Sequence, residues 1–128
     1  MSGEPVGQDA KGSWDWLRFA AGLPASPFPF TAQTANLLLL SGRWIVKGVS
    51  WANPVGAGGL MNLLDGQDAT GTMFYTQGYA TGQSFTQALG GDGLLMEQGV
   101  FLVPGGGTLS GAVWAIPLWA YDITPPGN

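Results

Sequence analysis

Glycine-centred turn signals recur from position 41 to position 107, and their spacing restricts the chain to short extended segments. The separators read SG, NPVGAGG, DGQDATG, ATG, GGDG, QG and PGGG. In such turns Gly supplies positive φ, while Asp and Asn bond their own backbone. The segments between them are residues 35–40, 43–52, 60–64, 72–79, 83–89, 94–97, 100–103 and 108–121. Most are too short for stable helices and read as strands. Several short strands at spacings near ten residues predict an all-β domain, a small antiparallel β-sandwich of jelly-roll-like type.

The polar–apolar alternation within these segments is incomplete. Residues 37–40 are apolar throughout, and so are most of residues 113–119. Such runs suit strands covered on both faces. In a small two-layer domain the second cover has to come from the N-terminal segment or from another subunit. Pro117 cannot donate to a ladder, which predicts an edge or a bulge there.

Residues 1–34 differ from the rest. Gly, Pro and Ser punctuate them, and PASPFPF holds three prolines in seven residues, a composition that favours extended backbone. Within them SWDWLRFAAG predicts a short helix over residues 13–22, with Ser13 as its cap, Asp15 in its first turn and Gly22 at its end. The expected organisation is an extended N-terminal arm, residues 1–34, carrying that helix, and a β-sandwich domain, residues 35–128. The arm's Trp14, Trp16, Leu17, Phe19, Phe28 and Phe30 are the candidate partner-binding residues. A solubilising tail has no need of such side chains, because exposed apolar surface invites aggregation. They either fold back on the chain's own core or dock on a neighbour. Fully extended, the arm reaches on the order of 110 Å.

Charge narrows the function classes. Charged residues make up 9% of the chain, against roughly 25% in an average globular domain, and a freely diffusing monomer usually keeps more charge for solubility. The basic residues are Lys11, Arg18, Arg43 and Lys47, with none thereafter. That is a poor footprint for nucleic acid and for an anionic membrane surface. The opening MSGEPVGQDA has neither the basic nor the apolar region of a secretory signal. The longest apolar run, 112–121, is interrupted by Pro117 and is half the length of a spanning helix. Synthesis in the cytoplasm is expected, with any export as part of an assembly.

The absence of Cys and His removes disulfides, thiolate nucleophiles, Cys/His zinc sites and imidazole acid–base chemistry. A Ser–Lys pair would need Lys11 or Lys47, and no motif surrounds either. Paired carboxylates could cleave glycosides, but Asp65, Asp68, Asp92, Glu97 and Asp122 offer little. Asp65 and Asp92 belong to turns, and Glu97 precedes a turn Gly. Asp65, Asp68 and the Thr70 hydroxyl are the one calcium candidate, with less acid density than a strong calcium loop has. VGAGG and PGGG lack the phosphate-loop pattern and read as hairpin loops. The expectation is a non-enzymatic protein without cofactor or metal. Trp44, Trp51, Trp114, Trp119, Tyr75, Tyr79 and Tyr121 remain. Most suit a core. A subset with Asn53, Gln77 or Gln83 would suit a carbohydrate platform, or interface anchors.

The stretch GRWIVKGVSWANPVGAGGLMNLLDGQDATGTMFYTQ resembles a small β-sandwich domain of tailed-bacteriophage structural proteins. The elements that carry the resemblance are Leu63-Leu64-Asp65-Gly66, Asp68-Ala69-Thr70-Gly71 and the glycine-flanked hairpin from Gly99 to Trp114. It covers about residues 36–120, rests on turn motifs and leaves the N-terminal 34 residues outside. It implies a virion role as capsid decoration, head fibre or tail accessory, and no catalytic residues. The leading expectation is a capsid decoration (cement) subunit made in the host cytoplasm. It would bind the major capsid protein and its own copies, for instance as a trimer. The alternative is a glycan- or receptor-binding domain of a fibre.

Overall fold

The structure, a computed structural model, describes residues 22–118. They form nine strands in two antiparallel sheets: β1 (Ser26–Gln33), β2 (Leu37–Ser41), β3 (Trp44–Val55), β4 (Gly59–Asp65), β5 (Thr72–Tyr79), β6 (Ser84–Ala88), β7 (Leu94–Met96), β8 (Gly99–Val103) and β9 (Thr108–Pro117). The first sheet runs β1-β9-β3-β6, with β7 also paired to β3; the second runs β2-β8-β4-β5. The described residues are thus all-β, and β2 to β9 fall on the eight expected segments. No helix occurs among them. The helix expected at residues 13–22 lies outside the described residues except for Gly22.

β1 lies within the segment read as the N-terminal arm. Ser26–Gln33 is not free of the domain but pairs with β9, Phe28 opposite Val113 and Phe30 opposite Gly111. The reason is the period-two order Pro27-Phe28-Pro29-Phe30. A strand alternates both its side-chain direction and the side on which it presents N–H. Both prolines therefore fall at positions facing away from β9, where an edge strand tolerates them. Both phenylalanines face inward. Phe30 is buried, and the Phe28 ring meets Trp44 edge-on at 4.9 Å between centroids. The strand breaks register between Phe30 and Gln33, where Ala32 has φ +47° and donates its N–H to Ser110 Oγ at 2.8 Å.

The inward side chains of both sheets meet in one apolar cluster. Val46, Val49, Leu109 and Val113 come from the first sheet, and Met61, Leu63, Val100 and Leu102 from the second. The indole N–H groups that this burial removes from water are satisfied: Trp51 donates to Tyr75 Oη at 3.1 Å and Trp44 to the Ser41 carbonyl at 2.8 Å. A smaller cluster of Ile45, Ile116 and Leu118 sits apart, with Leu23, Ala25 and Leu95 packed on it. Pro117 ends β9, opposite Trp44 of β3, where the lost donor interrupts no further pairing.

Candidate functional site: the outer faces of the two sheets

Asp65, Asp68 and Glu97 each make local contacts. Asp65 accepts the backbone N–H of Glu97, Gln98 and Gly99 at 3.1, 2.9 and 3.4 Å, tying the β4 end to the turn before β8. Asp68 instead accepts both the hydroxyl and the N–H of its neighbour Thr70. Hydrogen bonds from the Thr70 hydroxyl first, and its backbone N–H second, hold the Asp68 carboxyl below its ordinary value of 3.8. Of the calcium candidates, Asp68 and Thr70 bond each other while Asp65 turns to the Glu97–Gly99 backbone. Glu97 pairs with Arg43 Nε at 3.1 Å on the surface. Among the described residues no three acids come together as a metal site.

The glycan candidates fare similarly. Trp44, Trp51, Tyr75 and Tyr79 are buried. Trp51 stacks on Phe85 and meets Tyr79 edge-on, so its faces are already covered. Asn53 is fully buried and acts as a clamp. Its Nδ2 donates to the Gly56 and Ala57 carbonyls at 3.2 and 3.4 Å, and its Oδ1 accepts the Thr108 N–H at 3.2 Å. The two glycine-rich loops it joins pack backbone against backbone. A Cβ on Gly56, at φ +99°, would stand 2.6 Å from the Gly107 Cα, which only glycine permits. They are not the expected hairpin loops: the first carries the chain from β3 to β4 and the second from β8 to β9, each crossing from one sheet to the other, and the two are packed against each other.

What remains is the surface of the sheets. On the second sheet the register sets Leu38 opposite Phe101, Phe101 opposite Leu64 and Leu64 opposite Met73. The neighbouring residues Leu37, Leu102 and Leu63 point into the core, so this row faces outward. It forms an apolar stripe across all four strands, with Leu64 buried in its middle at 7% exposure. Leu38 is 38% exposed and Met73 53%. Beside it lies the row Val103, Asn62 and Thr76, then Leu60, 58% exposed, opposite Gly78. The Asn62 Oδ1 is buried and has no hydrogen-bond partner. No charged residue stands in these rows.

On the first sheet the outward rows read Pro27, Trp114, Gly48, Ala88, and then Pro29, Ala112, Ser50, Thr86. They too are uncharged, and the Ser50 and Thr86 hydroxyls bond each other at 3.2 Å. Trp114 stands out of this field of small side chains, 43% exposed.

Of the residues singled out for partner binding, Phe30 is core and Phe28 packs against it. Trp14, Trp16, Leu17 and Phe19 lie outside the described residues. Sequence reasoning missed Leu38, Leu60, Met73 and Phe101. The signal was present in part, since the unbroken apolar run 37–40 already called for a cover on both faces. Compared with protein-family models, curated proteins and solved structures, the chain gives no match.

Proposed function

We propose that this chain is an adhesive assembly module, a jelly-roll-like β-sandwich that works by presenting uncharged sheet faces to protein partners. The apolar stripe Leu38, Phe101, Leu64 and Met73 carries the reading. Leu38 and Met73 stay exposed at its two ends while Leu64 is buried between them, and exposed large apolar side chains on a contiguous apolar surface are the mark of an interaction site. Burial of that stripe against a copy or a shell would release water without desolvating any charge. The most specific form of the reading is a capsid decoration subunit of a tailed phage, bound to the major capsid protein and to its own copies. Its support is the turn-motif resemblance together with the low charge. The fibre-type glycan reading has less to stand on, because Trp51, Asn53, Tyr75 and Tyr79 are all buried.

The test combines sedimentation velocity of the full chain over a concentration series with co-sedimentation on purified phage shells. Concentration-dependent association, or saturable binding to shells, is expected. A strict monomer at all concentrations that ignores the shells would refute the proposal.

A further inference from the structure

Trp114, Gly48 and Ala88 stand side by side on β9, β3 and β6 of the first sheet. A bulky indole next to a glycine and an alanine leaves a depression. The result is an open groove of about 380 Å³ along the outer face, with Thr86 and Ala88 on its far side. Leu23 and Ala25 line it as well. The same two residues cover the small cluster of Ile45, Ile116 and Leu118. The groove is therefore a continuation of an apolar contact that the incoming chain has already begun to make.

We propose that residues 14–19 of the same chain occupy this groove, with one or more of Trp14, Trp16, Leu17 and Phe19 packed against Trp114. The distances permit it. These residues lie four to nine positions before Leu23, a reach of roughly 13–32 Å at full extension. Four strands span only about 15 Å across a sheet face, so the whole groove is within range. Chemistry favours it: an aromatic ring offers on the order of 150–250 Å² of apolar surface, and the groove is lined by the small residues Gly48, Ser50, Thr86 and Ala88 with Lys47 and Gln87 beside them, the Lys stem being apolar along its length. Tethering favours the same chain over a second copy. A short linker gives an effective concentration in the millimolar range, far above that of free subunits in dilute solution. The groove would then be the place where the N-terminal segment supplies the missing cover of the first sheet, leaving the stripe on the second sheet to outside partners.

The absence of Cys makes the test direct. In the full chain, Thr86→Cys is combined in turn with Trp14→Cys, Trp16→Cys, Leu17→Cys and Phe19→Cys. Each double variant is oxidised in dilute solution and its disulfide assigned by mass spectrometry as within or between chains. Thr76→Cys, on the outer face of the other sheet, serves as the control partner. At least one Thr86 pair should close within the chain at least about tenfold faster than any Thr76 pair, as local tethering requires. Ala88→Cys, also exposed at the groove, repeats the reading if Thr86→Cys lowers the melting temperature. Closure mainly between chains would hand the groove to a second copy and overturn the proposal, as would rates equal to those of the control.

Discussion

Replacing Leu38, Leu60 and Met73 together by threonine should weaken association roughly a hundredfold while leaving the fold in place. The three side chains keep 38%, 58% and 53% of their surface exposed. Taking a Leu or Met from full exposure to full burial is worth about 1.5–3 kcal/mol. The half still in water therefore holds about 1 kcal/mol per residue for a partner to collect, or ~3 kcal/mol for the three. At ~1.4 kcal/mol per factor of ten in affinity, that is about two decades in Kd. Threonine keeps a strand-compatible branched side chain. The loss to the domain itself is the half of each side chain already buried, up to about 3 kcal/mol in all, or a fall of roughly 15 °C in Tm. Sedimentation of wild type and variant, well below either melting point, reads the difference. An association constant within about threefold of wild type would mean that the stripe is an ordinary patch of surface, because a shift that small is under 1 kcal/mol.

Asn53→Ala should cost about 2–4 kcal/mol, because it leaves the Thr108 N–H and the Gly56 and Ala57 carbonyls without their partner; urea denaturation checks this, and a loss below about 0.5 kcal/mol would show that the loops hold each other without it. Trp51→Ala should destabilise by about 3–5 kcal/mol as a core truncation, and in a glycan-binding screen it should remove no sugar affinity from protein that is still folded. For Asp68 the carboxyl is held below its ordinary value by Thr70, so its contribution is present above pH 3.8 and is lost as the pH falls through the lowered folded-state value. The melting curves of wild type and Asp68→Ala should differ at neutral pH and converge in strong acid; a gap that persists in acid would assign the effect to something other than that charge.

The positions of the strands were legible because turns are local chemistry. SG at 41–42, DGQDATG at 65–71 and PGGG at 104–107 each stop a strand through their own backbone preferences. The proline-rich stretch was legible as extended backbone, but not its pairing. Pro27 and Pro29 favour an extended chain by themselves, and only a neighbour, β9, makes that chain an edge strand. Asn53 likewise reads as a polar candidate for sugar binding until Thr108, 55 residues away in sequence, is found against it.

The sequence by itself determined that this protein is built of short strands and that it lacks the side chains for thiol or imidazole chemistry. It also carried, in the run Leu37-Leu38-Leu39-Leu40, the demand for cover on two faces. Only the tertiary structure decided which apolar residues face the core and which face outward. Leu63 and Leu64 are neighbours of the same type and both are buried, yet Leu63 joins the cluster between the sheets while Leu64 lies in the row of Phe101 and Met73 on the other face. The physical reason is that strand parity has a period of two, so the bulge in β4–β5 pairing between them and the long-range registers with β8 set the face. Those registers join segments distant in sequence, and no local preference encodes them.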